Sequence, residues 1–257
     1  MKPVIYIASD STVMSYTKEY VPQTGWGQVL IEYFARPGET VEEHHPDSSV
    51  FPSAVRYDTP RIAVDNRAYA GRSMRTFWEE GRLDDIASCL GRGDYLFIQF
   101  AHNDANEKRP ERFIPVKDYP AWLQLYTDEA LMRGAVPVLV TAVAMRQFDS
   151  RGHVPVSFPE YRDAMMDFAA KKNLICLDLG EDSRRAVEEL GPEKTKKLFM
   201  WTLKGEYPGG LYCEGSEDNA HLKREGALCF AGLLADEIRR EPRLSALASE
   251  LRDQPDG

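Results

Sequence analysis

The stretch Val4-Ile5-Tyr6-Ile7-Ala8-Ser9-Asp10-Ser11-Thr12 decides the reading of this chain. Residues 4–8 are a short, apolar, β-rich run, and residues 27–34 carry apolar side chains at helical spacing, so a strand gives way to a helix. Ser11 follows the strand immediately and precedes a turn, which places its hydroxyl at the sheet edge near helical N–H groups, as a nucleophile requires. The bland alternative is a turn or cap serine, a role that Ser9, Thr12 and Ser15 are close enough to share.

The same alternation continues outward. Residues 62–65 and 95–100 read as strands, and residues 119–132 as a helix with Leu123, Tyr126, Ala130 and Leu131 on one face, ended by Gly134. Residues 136–142 and 174–179 are continuous apolar runs of the kind buried on both faces of a parallel sheet. Between them, Ser157 and Glu160 match a capping box for a helix reaching about Lys172, and a last helix spans residues 223–240. This order predicts an α/β fold: a three-layer α/β/α sandwich around a doubly wound parallel sheet of about five strands, with the ligand beyond the strands' carboxyl ends. No linker divides the chain, so one domain over residues 1–257 is expected, with polar residues 36–61, including His44 and His45, as an inserted loop or excursion.

Composition narrows the function classes. A net charge of -9 and a pI near 5.2 exclude a nucleic-acid partner, because phosphate contacts need clustered Lys and Arg. The first apolar run is too short for a secretory signal, and no stretch approaches the ~20 apolar residues of a membrane helix. The expectation is a cytoplasmic protein with no membrane partner. Cys89, Cys176, Cys213 and Cys229 are too scattered for a metal site, and Cys176 and Cys229 read as buried small hydrophobes. With no H-E-x-x-H, Walker A or G-x-G-x-x-G sequence, neither cofactor nor metal is predicted. The G-x-S-x-G elbow is also absent.

What remains is a set of groups suited to acyl transfer. Asp218 lies three residues before His221, so on one turn it holds the imidazole tautomer that accepts a serine proton. Asn103 follows the strand at residues 95–100, which delivers its amide to the same rim as Ser11. Gly71 lacks a Cβ and admits a close-lying carbonyl, so its N–H and that of Ser11 are further oxyanion donors. Individually, a capping Asp, a surface His, a loop Asn and a turn Gly are the ordinary readings. Their order along the chain favours a site. Asp10 and His102 adjoin it as supporting residues, whereas His44, His45 and His153 read as solvated, and Arg72, Arg75 and Trp201 as surface or core side chains able to meet a uronate or stack on a sugar.

These motifs resemble the SGNH (GDSL-like) hydrolase superfamily, whose blocks centre on Ser, Gly, Asn and His in that order. Asp10-Ser11-Thr12-Val13-Met14, Gly25-Trp26-Gly27-Gln28, Asn66-Arg67-Ala68 to Gly71-Arg72-Ser73, and His102-Asn103-Asp104 look most like the rhamnogalacturonan acetylesterase group. Gly205-Glu206-Tyr207-Pro208 is similar to its bacterial members. The resemblance implies a flavodoxin-like sheet and a serine esterase removing O-acetyl groups from pectic rhamnogalacturonan or xylan oligosaccharides. Ser11 would attack, His221 shuttle the proton, Asp218 orient His221, and Ser11, Gly71 and Asn103 hold the oxyanion. Ser9 and Ala101 depart from the family, which usually has glycine at both places. The alternatives are a lipase or thioesterase for longer acyl chains and a non-catalytic carbohydrate-binding protein.

Overall fold

Strand β1 (Val4–Ser9) lies at the centre of a seven-stranded sheet, and its side chains alternate between two hydrophobic layers. Ile5 and Ile7 enter one layer; Val4, Tyr6 and Ala8 enter the other. The computed structural model describes residues 2–46, 48, 50 and 54–252. After β1 come helix α1 (Trp26–Val29), strands β2 (Glu42–His44), β3 (Val55–Asp58) and β4 (Ala63–Asn66), and helices α2 (Met74–Glu79) and α3 (Arg82–Cys89). Next are β5 (Tyr95–Gln99), α4 (Tyr119–Met132), β6 (Val136–Val140), α5 (Pro159–Lys172), β7 (Ile175–Leu177) and α6 (Leu179–Lys194). A hairpin of β8 (Phe199–Thr202) and β9 (Ser216–Leu222) leads into α7 (Arg224–Arg240).

The sheet order is β2-β3-β4-β1-β5-β6-β7. From β4 to β7 every pairing is parallel, giving the five parallel strands expected. Strands β2 and β3 extend the sheet antiparallel. They occupy part of the predicted excursion at residues 36–61, of which 47, 49 and 51–53 lie outside the described residues. The sequence gives little sign of β2, because Glu42, Glu43 and His44 are all exposed on an edge.

Helices α1, α6 and α7 cover one face, burying Trp26, Val187 and Phe230. Helices α2 to α5 cover the other with Phe77, Leu83, Tyr126 and Met165. Both faces of the parallel strands are therefore apolar, which explains their uninterrupted hydrophobic runs. The chain runs from β1 to β4 on one side and then crosses to β5 on the other, so the connections diverge between β1 and β5. Their carboxyl ends, just before Ser11 and Asn103, flank the crevice where such sheets bind ligands. Among the described residues, no helix is long and apolar enough to cross a membrane.

Two local readings need correction. The expected helix at residues 27–34 is a short α-helix continued by a 3-10 turn over Leu30–Tyr33. Helix α5 lacks the predicted capping box, because Phe158 is its N-cap and makes no side-chain cap. The Ser157 hydroxyl instead accepts the Met145 N–H at 2.9 Å, tying the helix entrance to the segment after β6.

Candidate active site

The turn after β1 is built around a buried carboxylate. Asp10 accepts the Thr12 N–H at 2.9 Å and the Thr12 hydroxyl at 2.8 Å, while its carbonyl accepts Val13 N–H and Met14 N–H. These bonds close the loop tightly and leave Ser11 at its crest. A helix does not begin here, contrary to the expectation of nearby helical N–H groups; α1 starts only at Trp26. Its start packs so closely on the turn that a Cβ on Gly25 would sit 2.3 Å from the Val13 carbonyl carbon. Only glycine fits there.

His221 and Asp218 arrive from the other end of the chain. The β8/β9 register passes from Phe199 opposite Leu222 to Trp201 opposite Glu217, so residues 218–221 bulge out of the ladder. The sequence reading put this pair on one turn before the last helix; it lies instead on an irregular strand. Asp218 Oδ1 accepts the N–H groups of Ala220 (2.7 Å) and His221 (3.0 Å), and its Oδ2 lies 2.7 Å from His221 Nδ1. His221 Nε2 is 2.9 Å from Ser11 Oγ.

The bulge is held through Arg146, which no motif marked. Asn219 accepts the Arg146 N–H through its carbonyl (2.8 Å), and its Oδ1 accepts from Arg146 Nη1 (3.0 Å) and Trp201 Nε1 (2.8 Å). The Arg146 guanidinium also stacks 4.5 Å from the Trp201 ring centroid. Trp201 is thus half-buried and engaged in this clamp. Arg72 is engaged too, with Glu80 and over the Tyr69 ring, and Arg75 pairs with Glu79. His44 and His153 are exposed as expected. Cys176 and Cys229 are partly buried, and all four cysteines are free.

Electrostatics assign the protons. Burial disfavours the Asp218 carboxylate, but hydrogen bonds from the His221 ring and the Ala220 and His221 N–H groups, with the imidazole charge, hold it down to about 2. Burial alone would lower the His221 pKa, yet the Asp218 hydrogen bond and charge, with the charge of Asp10, raise it above its usual 6.5. A base must be neutral to accept a proton, so turnover is expected to fall as pH drops through this raised value. Asp218→Asn removes the acceptor charge and should move the acidic limb of kcat/KM to lower pH while lowering its plateau. A plateau loss with an unmoved limb would show that Asp218 does not set the imidazole's affinity for protons.

Ser11, Gly71 and Asn103 are the expected oxyanion donors. The N–H groups of Ser11 and Gly71 have no acceptor among the described residues. Gly71 holds φ 77°, a conformation natural to glycine. Asn103 gives one amide hydrogen to the Arg72 carbonyl at 3.0 Å, which leaves the other uncommitted. Arg112, also unmarked by any motif, bridges the pieces: its Nη1 donates to the Gly71 carbonyl (2.9 Å) and to Asn103 Oδ1 (2.8 Å). Ser11, Asn103, His102 and His221 line one cleft of about 370 Å³, with Met145, Phe158 and Ala220 as apolar walls. Gly71 reaches this group through Arg112 and is not itself a lining residue. Among the described residues, no set of three or more His, Cys, Asp or Glu side chains is arranged to hold a metal ion.

The two departures from glycine have different consequences. Ser9 is fully buried and donates its hydroxyl to the Gln99 carbonyl at 2.6 Å, adding a β1–β5 link. Ala101 takes φ 153°, where a side chain is strained. Relief of such strain, typically ~1–3 kcal/mol, outweighs the ~0.5–1 kcal/mol entropy cost of glycine. Ala101→Gly should therefore stabilise the fold by about 1 kcal/mol in urea unfolding without loss of activity. Beneath the cleft, His102 Nδ1 lies 3.6 Å from the Asp10 carboxylate, an ion-pair distance rather than a hydrogen bond. Burial pushes the Asp104 carboxyl up to about 8, although its Oδ1 accepts the Met74 N–H.

No protein-family model matches the chain. It is 35% identical over 238 residues to rhamnogalacturonan acetylesterase RhgT of Bacillus subtilis, covering 92% of this chain and 90% of that relative. It is 36% identical to the probable rhamnogalacturonan acetylesterase YesY of the same organism, covering 91% and 92%. Among solved structures, YxiM of Bacillus subtilis superposes with a TM-score of 0.71 at 25% identity, over 93% of this chain and 57% of that one. The acetylxylan esterase Axe2 of Geobacillus stearothermophilus has the same fold, with a TM-score of 0.55 at 14% identity over 93% of each chain.

Proposed function

Because the chain belongs to the rhamnogalacturonan acetylesterase family of carboxylic ester hydrolases, we propose that Ser11, His221 and Asp218 remove O-acetyl groups from plant cell-wall polysaccharide fragments on one hydrolase domain. The observation that carries this reading is the continuous line from Ser11 Oγ through His221 to Asp218, with contacts of 2.9 and 2.7 Å.

Ser11 Oγ attacks the acetyl carbonyl while His221 Nε2 takes its proton. Asp218, ionised throughout the working pH range, fixes the imidazole tautomer and stabilises the imidazolium. Negative charge on the carbonyl oxygen is met by the Ser11 and Gly71 N–H groups and the free amide hydrogen of Asn103. His221 then gives the proton to the sugar oxygen as its bond to the acetyl carbon breaks, releasing the sugar hydroxyl and leaving Ser11 acetylated. Water, deprotonated by His221, then attacks the acetyl-enzyme; the bond to Ser11 Oγ breaks, His221 gives that proton to Oγ, and acetate leaves.

The relatives matched over most of the chain are named acetylesterases, which favours an acetyl group over a long acyl chain. The lipase alternative is not favoured. Acetate release from acetylated rhamnogalacturonan and xylan oligosaccharides, beside hydrolysis of p-nitrophenyl acetate and octanoate, tests the reading. Release from the oligosaccharides with acetyl preferred over octanoyl is expected; preference for octanoate without sugar deacetylation would overturn it.

A further inference from the structure

A second cavity adjoins the catalytic cleft across a shared wall. Ala105 and Phe158, which line the cleft, also line a neighbouring space of about 490 Å³. Its other walls include Phe113 and Pro115 from the segment before α4, together with the exposed carboxylates of Glu107 and Glu160. No lysine or arginine lines it among the described residues. Apart from the shared wall, none of these residues belongs to the arrangement around Ser11.

The cavity is built on firm supports. Tyr161, buried, donates its hydroxyl to the carbonyls of Ile114 (2.6 Å) and Asp104 (3.3 Å), joining this wall to the residue after Asn103. Phe158 holds φ 53°, a strained conformation for a bulky side chain, and meets the His102 ring edge-on at 4.9 Å. Strain of this kind is kept where the surroundings fix a side chain's placement, and it clusters at ligand sites.

The lining chemistry defines the occupant. Aromatic and proline faces offer an apolar surface to the C–H face of a pyranose ring, while carboxylates accept hydrogen bonds from its hydroxyls. Two carboxylates without a compensating cation repel a third, so a uronate is disfavoured. We propose that this cavity is a subsite for an uncharged sugar ring linked to the acetylated residue, and that it selects against a uronate at that position. The proposal rests on the carbohydrate deacetylase reading and adds a specificity to it.

Acetylated xylose, acetylated xylotriose and an acetylated trisaccharide with a flanking uronate are the probes. Wild type should show kcat/KM about tenfold higher on xylotriose than on xylose, mainly through KM, and Phe113→Ala should remove that increment while leaving p-nitrophenyl acetate unaffected. A Glu107→Lys/Glu160→Lys double variant, changed only at exposed positions, should gain roughly tenfold on the uronate probe relative to the neutral one. That variant decides the matter if Phe113→Ala fails to fold. Wild-type discrimination in every folded variant would overturn the subsite alone. Failure of wild type on every sugar, acetylated rhamnogalacturonan oligosaccharides included, with p-nitrophenyl acetate still cleaved, would overturn the deacetylase reading and the subsite with it.

Discussion

Ser11→Ala and His221→Ala are each expected to lower kcat by roughly 10⁴- to 10⁶-fold, and the double variant to lose little more. The reason is the shared proton: with Ser11 Oγ 2.9 Å from His221 Nε2, the base has nothing to activate once the hydroxyl is gone. Independent contributions would instead multiply, driving the double variant far below either single one. A fluorophosphonate should add mass to wild type at Ser11 and to neither variant lacking that hydroxyl. Near-multiplicative losses would show that the two side chains do not act in one step. Unlabelled wild type would restore the non-catalytic carbohydrate-binding alternative.

The parallel strands were legible because burial on both faces writes an unbroken apolar run, as at Val136–Val140. The candidate site residues Ser11 and Asn103 followed from them, since each comes just beyond a strand's carboxyl end. Helices α2 and α3 escaped notice because Gly81, at φ 72°, divides them into short pieces and Arg82, Asp84 and Asp85 interrupt the pattern. Helix α6 is similarly obscured by charge and by the break at Gly191 and Pro192. The β8/β9 hairpin was hidden for a different reason. Residues 216–221 show no period-two pattern, because their conformation is imposed by bonds from Arg146, distant in sequence. Motif and order pointed to Asp218 and His221 as candidates, but not to the strand that carries them. Arg112 gave no signal either, because one arginine within the largely charged stretch 107–112 reveals its acceptors only after folding.

Asn103→Ala should cost ~2.7–4 kcal/mol of transition-state stabilisation, about 100- to 1,000-fold in kcat, with KM nearly unchanged. The amide hydrogen not given to Arg72 is the one available to the substrate, and it strengthens only as charge develops on the carbonyl oxygen. Alanine also removes the acceptor of Arg112, so that variant alone does not separate a lost donor from a displaced Gly71 loop. Asn103→Asp keeps the Arg112 link, since a carboxylate still accepts from Nη1, but gives up both amide hydrogens, the one to the Arg72 carbonyl and the one to the oxyanion, and repels the developing charge. Its kcat should therefore fall at least as far as that of the alanine variant. Should Asn103→Asp keep most of its activity, Asn103 would be a link to Arg112 and the oxyanion would rest on the Ser11 and Gly71 N–H groups.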